Sequence, residues 1–147
     1  EEAIHRAIET APFRPHRLFS SDLPRCARLA QGLANAWSIP LYMEPQIREM
    51  NFGEWEGRSY DHIDAEDGTR WREWCAEWQN IAPPGGESLD VFVDRIHGWL
   101  ERQKPTSTDA IVTHAGVIRV FRVLSGSDWD EAMKTKNPFL GWSCHSL

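Results

Sequence analysis

Cysteine is scarce in this 147-residue chain: it occurs three times, as Cys26, Cys75 and Cys144, and never as a Cys-x-x-Cys pair. The odd number argues against a disulfide framework, and the spacing argues against a zinc site. Both observations are typical of a protein from a reducing compartment. We therefore expect a cytoplasmic protein that holds no structural metal.

Long hydrophobic runs and basic stripes are also absent. No run approaches the length that crosses a bilayer, and the first ten residues lack the basic and apolar regions of a signal peptide. The formal net charge is −6, with no dense stripe of lysine and arginine to offset it. We expect neither a membrane nor a nucleic acid as partner. An anionic substrate requires positive potential that is concentrated in a pocket.

The composition that is present is that of a soluble globular protein, with 41% hydrophobic and 26% charged residues. The length suffices for one domain with a sizeable core and not for two ordinary ones. We find no internal repeat, low-complexity tract or linker. The sequence therefore predicts a single domain over residues 1–147.

Helical and strand patterns alternate along the chain, which predicts an α/β fold with a mostly parallel sheet. Asp22 and Ser88 are expected to cap helices, and the segment 47–59 is expected to form a loop with glycine corners. The predicted strands are 17–21, 41–43 (at an edge), 110–113 (fully buried) and 142–147. One helix is predicted to end at Ile8, and one to contain Trp71, Trp74 and Trp78 on a single face. The other predicted helices cover 23–37, 89–100, 116–124 and a short segment that starts near Asp128.

Two of these strands end in polar residues that suit an anion. The strand at 17–21 leads to Arg25 in a first helical turn, and the strand at 110–113 leads to His114, where the next helix begins. Open α/β sheets bind ligands beyond the carboxyl ends of their strands, and helix N-termini favour anions. A guanidinium group matches the oxygens of a phosphate. Taken singly, His114 also fits a structural capping role, and Arg25 also fits a surface ion pair.

Four acidic residues, Glu44, Glu49, Glu54 and Glu56, crowd the loop around "REMNFGEWEG". A carboxyl group beside a phosphate can protonate a leaving oxygen and then accept a proton from water. The spacing does not choose among the four, and a solvated acidic loop is the alternative interpretation.

Four segments in this order, "LFSSDLPRCARLA", "IREMNFGEWEGRSYDHI", "PPGGES" and "IVTHAGVIR", resemble the histidine phosphatase superfamily, whose fold is that of phosphoglycerate mutase. The resemblance implies a three-layer α/β/α architecture. Within the superfamily, "SSDLPRCARLA", the tryptophan-rich segment and "NPFLGW" are most similar to the alpha-ribazole phosphatases, which remove the 5′-phosphate from alpha-ribazole phosphate during assembly of the lower ligand loop of cobalamin.

The resemblance also implies roles for individual residues. Arg25 matches the arginine that clamps the phosphate, Glu49 the general acid and base, and His114 a histidine that hydrogen-bonds the phosphoryl group. Support of the pocket is implied less directly for three others, Ser20, Glu87 and Ala115. The reaction that follows from these roles needs no metal and no cofactor.

The superfamily's Arg-His-Gly motif, which carries the nucleophilic histidine at the end of the first strand, does not occur in this sequence. We therefore expect that the first, central strand is missing from the domain as given, that the sheet is opened there, and that the chain alone is inactive.

The leading interpretation is a phosphomonoesterase that acts on a small phosphorylated substrate through a phosphohistidine, with alpha-ribazole 5′-phosphate as that substrate. A broad-specificity phosphatase and a non-catalytic phosphate-binding relative are the alternatives. The patterns indicate no particular oligomeric state. Trp71, Trp74 and Trp78 fit either a packed hydrophobic stripe or a lid over an aromatic substrate.

Overall fold

A computed structural model describes residues 1–145 of the chain. These residues form two compact units. The first unit comprises residues 1–49 together with the chain from Ile96 onward, and the second comprises Met50–Arg95. None of the helices described is both long enough and apolar enough to cross a membrane.

The first unit contains the parallel sheet and most of the helices. Its strands are β1 (Arg17–Ser20), β2 (Leu41–Met43) and β3 (Asp109–Val112). Its helices are α1 (Glu2–Glu9), α2 (Pro24–Trp37), α5 (Ala115–Leu124) and α6 (Trp129–Lys134), whereas α3 (Tyr60–Glu77) lies in the second unit and α4 (Leu89–Gln103) begins in the second unit and continues into the first.

The sheet has the order β2-β1-β3, and β1 pairs in parallel with both neighbours. Leu18 is in register with Leu41 on one side and with Ala110 on the other. β3 pairs directly with β1 and is an edge strand of the described sheet. The expectation that a first, central strand is missing and that the sheet is opened there stays a prediction.

Successive residues of β1 face opposite sides of the sheet, and each side is covered by helices. Leu18 is fully buried in a cluster with residues of α1 and α2, among them Ala30 and Leu33. Phe19 lies on the other side, where its ring centroid is 5.4 Å from that of Trp99 in α4. Helices on both faces of a parallel sheet confirm the predicted three-layer α/β/α fold.

A partly buried ion pair joins the first residues of β1 and β3. Arg17 donates two hydrogen bonds to the carboxylate of Asp109, and Thr106 donates a backbone hydrogen bond to the same group. The guanidinium lowers the pKa of Asp109 below its ordinary value. This pair fixes the start of β1 against the start of β3.

Three local predictions were wrong. Leu23 is the N-cap of α2 rather than Asp22, because Pro24 occupies the first helical turn, and the Asp22 carboxylate instead pairs with Arg48. β3 is only half-buried, because it is an edge strand of the described sheet. Residues 142–145 form no strand, and Ser146 and Leu147 lie outside the described residues.

The second unit joins the glycine-rich loop to the "PPGGES" segment. Gly53 has a φ of +56°, and a Cβ at this position would lie 2.2 Å from the carbonyl oxygen of Pro84. Only glycine fits such a close approach in that conformation. The Glu54 amide donates to the same carbonyl at 2.8 Å.

The tryptophans of α3 pack within this unit. The rings of Trp71 and Trp74 stack on one another at 5.4 Å, and both meet the buried ring of Trp55 edge to face. Phe52 contacts Trp74 in the same way. The helix is confirmed with Trp71 and Trp74 on it, whereas Trp78 is the C-cap residue just beyond its end. The packing accounts for Trp71 and Trp74 without a ligand. The lid over an aromatic substrate stays a prediction.

Candidate functional site

The candidate site lies where β1 and β3 end, within the first unit. β1 ends at Ser20 and the chain turns through Ser21 into α2, while β3 ends at Val112 and turns through His114 into α5. The Ser21 amide donates to the Val112 carbonyl at 2.9 Å, so the two turns are held side by side. Both α2 and α5 begin at this edge of the sheet.

Arg25 and His114, which are 89 residues apart in the chain, meet at this edge. The Nε of Arg25 donates to Nδ1 of His114 at 3.1 Å. His114 is 5% exposed, whereas Arg25 is exposed. Within residues 1–145, the guanidinium of Arg25 is not paired with any acidic side chain. Its terminal amino groups are therefore available to an external anion.

Glu49 lies at the N-terminus of α5, close to the same histidine. One of its carboxylate oxygens accepts a hydrogen bond from the Gly116 amide at 3.2 Å. The N-terminus of α5 thus holds the carboxylate of Glu49 beside the turn that carries His114. Glu49 is half-buried. The site thus combines a guanidinium, an imidazole and a carboxylate.

The loop that carries Glu49 is held from two sides. The Thr113 hydroxyl donates to the Ile47 carbonyl at 2.7 Å, and Arg48 donates to the Asp22 carboxylate at 2.6 Å. Ile47 itself is fully buried. These bonds fix the position of Glu49 relative to the turns after β1 and β3.

Two residues of the site were not predicted from the sequence. Ser21 places its Oγ 2.8 Å from Nε2 of His114, and Cys26 places its Sγ 3.5 Å and 3.7 Å from the two ring nitrogens. Both side chains are buried. The two adjacent serines at the end of β1 were a signal for a buried polar contact, but they do not show which serine faces the imidazole.

Burial raises the pKa of the Cys26 thiol to about 11, and the nearby charges of Arg25 and Glu49 have smaller, opposite effects. At neutral pH this side chain is an uncharged thiol that packs against the imidazole. It is not a nucleophile under those conditions, because the thiolate is the reactive form.

We expect only two of the three thiols to react in the folded chain. At pH 8, Ellman's reagent should modify the exposed Cys75 and Cys144 quickly, whereas Cys26 should react only after unfolding in guanidinium, since about one in a thousand of its thiols is ionised. The Cys26→Ala variant should titrate as two thiols in both the native and the denatured state. Rapid reaction of a third native thiol would contradict the burial of Cys26.

The other residues predicted for the site have partners elsewhere. Ser20 donates its hydroxyl to the Ser21 carbonyl at 2.8 Å, and Ala115 is the first residue of α5, with His114 as N-cap. Glu87 belongs to the second unit, where its carboxylate pairs with Arg95 and accepts from the Asn51 amide. Their roles toward a substrate stay predictions.

The structure distinguishes among the four acidic residues of the loop. Glu54 pairs with Arg70, and Glu56 accepts from the Phe52 amide, both within the second unit. Glu44 donates its backbone amide to the Ser20 carbonyl. Glu49 is the one among them whose carboxylate hydrogen-bonds beside His114.

The remaining histidines of the first unit have other surroundings. His16 is exposed before β1, and its backbone amide donates to the Thr108 carbonyl. His5 and His97 are exposed on helices and face Glu9 and Glu101, and the ring of His145 lies against Phe121. Within the described residues, no three side chains of histidine, cysteine, aspartate or glutamate are grouped as metal ligands.

Comparison with known sequences gives one family over nearly the whole chain. The sequence profile of the histidine phosphatase superfamily (branch 1) matches residues 2–142. An adenosylcobalamin/alpha-ribazole phosphatase of Salmonella typhimurium is 31% identical over 120 residues, which cover 80% of this chain and 58% of the relative. A glucosyl-3-phosphoglycerate phosphatase of Mycolicibacterium vanbaalenii is 30% identical over 131 residues, covering 80% and 56%. The chain thus spans little more than half the length of these relatives.

Comparison with solved structures gives the same fold. The alpha-ribazole phosphatase of Shigella flexneri superposes with a TM-score of 0.72 at 25% sequence identity, over 90% of this chain and 66% of that one. The predicted phosphoglycerate mutase-like fold is therefore confirmed.

Proposed function

Since the chain belongs to the histidine phosphatase superfamily (branch 1), we propose that the protein is a phosphomonoesterase that acts through a phosphohistidine intermediate. The observation that carries the proposal is the contact between Arg25 and His114 at the carboxyl ends of β1 and β3, with the Glu49 carboxylate at the neighbouring helix N-terminus. A group with several anionic oxygens suits these donors.

Arg25 is the phosphate clamp in this proposal. Its Nε is held by His114, which orients the guanidinium and leaves the two terminal amino groups for two oxygens of a phosphate. Because the orientation exists before the ligand arrives, little freedom of the side chain is lost on binding.

His114 supports the negative charge that develops on the phosphoryl group. In the structure both of its ring nitrogens have protein partners, Arg25 at Nδ1 and Ser21 at Nε2. A direct hydrogen bond from His114 to a phosphoryl oxygen therefore requires that the bond to Arg25 opens and that Nδ1 takes up a proton.

Glu49 is proposed as the general acid and base. In the first step the phosphorus–oxygen bond of the ester breaks, a phosphorus–nitrogen bond to a histidine forms, and the leaving oxygen takes the proton of Glu49. In the second step water attacks phosphorus, the phosphorus–nitrogen bond breaks, inorganic phosphate leaves and Glu49 recovers a proton. The proposal assigns no residue of this sequence as the nucleophile.

Alpha-ribazole 5′-phosphate is the substrate we propose, because an alpha-ribazole phosphatase is among the similar sequences and another is among the similar structures. The glucosyl-3-phosphoglycerate phosphatase shows that a similar sequence also acts on another phosphomonoester. A broad-specificity phosphatase is therefore the second candidate.

The test is phosphate release by the protein isolated with its native ends, after its intact mass has been measured. We expect kcat/KM for alpha-ribazole 5′-phosphate to exceed that for p-nitrophenyl phosphate and phosphoserine at least about 100-fold, as expected where binding energy from the whole substrate is used in catalysis. Equal values would favour the broad-specificity phosphatase. Phosphate binding without turnover of any ester would favour a non-catalytic relative.

A further inference from the structure

Ser21 is a residue of the site to which the proposed reaction gives no role. Its side chain is fully buried, and its backbone amide is anchored to the Val112 carbonyl at the end of β3. Its Oγ accepts from the Leu23 amide at 3.3 Å and lies 2.8 Å from Nε2 of His114. The backbone contacts to Val112 and Leu23 therefore hold the Ser21 hydroxyl beside the imidazole.

The donors around His114 determine which nitrogen carries the proton. Arginine is always a donor, so Nδ1 of His114 must accept from the Arg25 Nε. A neutral imidazole then carries its hydrogen on Nε2 and donates it to the Ser21 Oγ. The two contacts together allow one neutral tautomer.

Beside Ser21, titratable and charged groups near the imidazole come from α2 and from the loop that carries Glu49. Arg25 and the neutral thiol of Cys26 face it from α2, and the Glu49 carboxylate lies at the start of α5, two residues beyond His114. Of these, only Arg25 is within 3.1 Å of a ring nitrogen as a hydrogen-bond donor.

We propose that Ser21 is a positioning residue that holds the Nε2–H of His114, so that Nδ1 is the nitrogen that faces Arg25 and a bound phosphate. This assignment of Nδ1 to a phosphate rests on the proposed function. The Ser21 oxygen accepts from Nε2–H in the neutral ring and in the imidazolium alike. Proton uptake is thereby confined to Nδ1, and the cation gains a hydrogen bond that is stronger than that of the neutral ring.

The test reads the ring nitrogens of His114 by ¹⁵N NMR in the phosphate-free chain over a pH range. We expect the wild-type ring to carry its neutral-state proton on Nε2. Ser21→Ala should lower the proton affinity of His114 about tenfold, or about one pH unit, because the buried cation loses an acceptor. Ser21→Thr keeps the hydroxyl and should restore the wild-type value within about threefold.

Ser20→Ala is the matched control, because Ser20 is the neighbouring buried serine and its hydroxyl donates to a carbonyl rather than to the ring. Ser20→Ala should leave the proton affinity of His114 within about threefold of the wild-type value. A wild-type proton on Nδ1, or a Ser21→Ala variant that titrates like wild type, would overturn the inference. If Ser21→Ala does not fold, the tautomer of His114 in the wild type and the titration of His114 in Ser21→Thr decide whether the inference holds. No phosphate is present, so a failure of phosphate binding would count against the proposed function alone.

Discussion

Replacing Arg25 with glutamine lowers the affinity of the chain for inorganic phosphate about 100-fold, which is the largest effect on ligand binding that we expect. The two terminal amino groups of Arg25 are the charged donors that the site offers beside His114. Each charge-assisted hydrogen bond contributes about 1.5–3 kcal/mol, and a factor of 100 corresponds to about 2.7 kcal/mol. Isothermal titration calorimetry at fixed ionic strength measures the change.

Arg28→Gln is the matched control for this prediction. Arg28 lies one turn further along α2, is exposed, and is not one of the residues that contact His114. Removing its charge changes the long-range attraction alone and should alter the affinity less than about twofold. Arg25→Lys keeps the charge but loses the planar fork, so its affinity for phosphate should lie between those of Arg25→Gln and Arg28→Gln. Loss of less than threefold in Arg25→Gln would mean that phosphate does not bind at this edge of the sheet.

Replacing Trp99 with alanine should give the largest loss of stability, about 3–5 kcal/mol in the free energy of unfolding. The Trp99 side chain is fully buried between the sheet and α5, with its ring against Phe19 at 5.4 Å and Phe121 at 6.4 Å. Its removal leaves a cavity under β1 in addition to the lost burial. Urea denaturation followed by circular dichroism measures the difference.

Trp99→Phe separates the volume from the indole nitrogen. Among the described residues the Trp99 Nε1 has no hydrogen-bond partner, so phenylalanine removes an unpaired donor as well as part of the ring. We expect a smaller loss of about 1–2 kcal/mol. Phe139→Ala, at a residue 84% exposed, should change stability by less than about 0.5 kcal/mol. A Trp99→Ala variant within 1.5 kcal/mol of wild type would show that this side of the sheet is not a packed core.

The fold was predictable where a local pattern determines it. Alternation of residues in β1 sends Leu18 and Phe19 to opposite faces, and the helical stripe of α2 supplies the apolar surface that covers Leu18. The exposure of β3 was not predictable, because an apolar run such as "AIV" has the same composition in a central strand as in an edge strand. Burial depends on which strands pair, and pairing is a property of the whole sheet.

The site was predictable in its main residues and not in its contacts. The ends of β1 and β3 indicated Arg25 and His114, because parallel strands bring their carboxyl ends to one edge. The spacing of the loop left four acidic residues open, and the structure separates them through their partners, which lie far apart in sequence. The choice of Ser21 over Ser20 depends on where β1 stops and the chain turns, a detail that two identical neighbours cannot reveal.

The measurement that tests the central claim most directly is a titration of the ¹⁵N-labelled chain with inorganic phosphate, read at the ring nitrogens of His114. We expect a saturable change in the chemical shift of Nδ1, the nitrogen that accepts from Arg25 in the phosphate-free chain. The proton on Nε2 should remain there, hydrogen-bonded to Ser21. The Arg25→Gln variant should show no such change at the same phosphate concentrations. Signals of His114 that remain unmoved in the wild-type chain at saturating phosphate would contradict a phosphate site formed by Arg25 and His114.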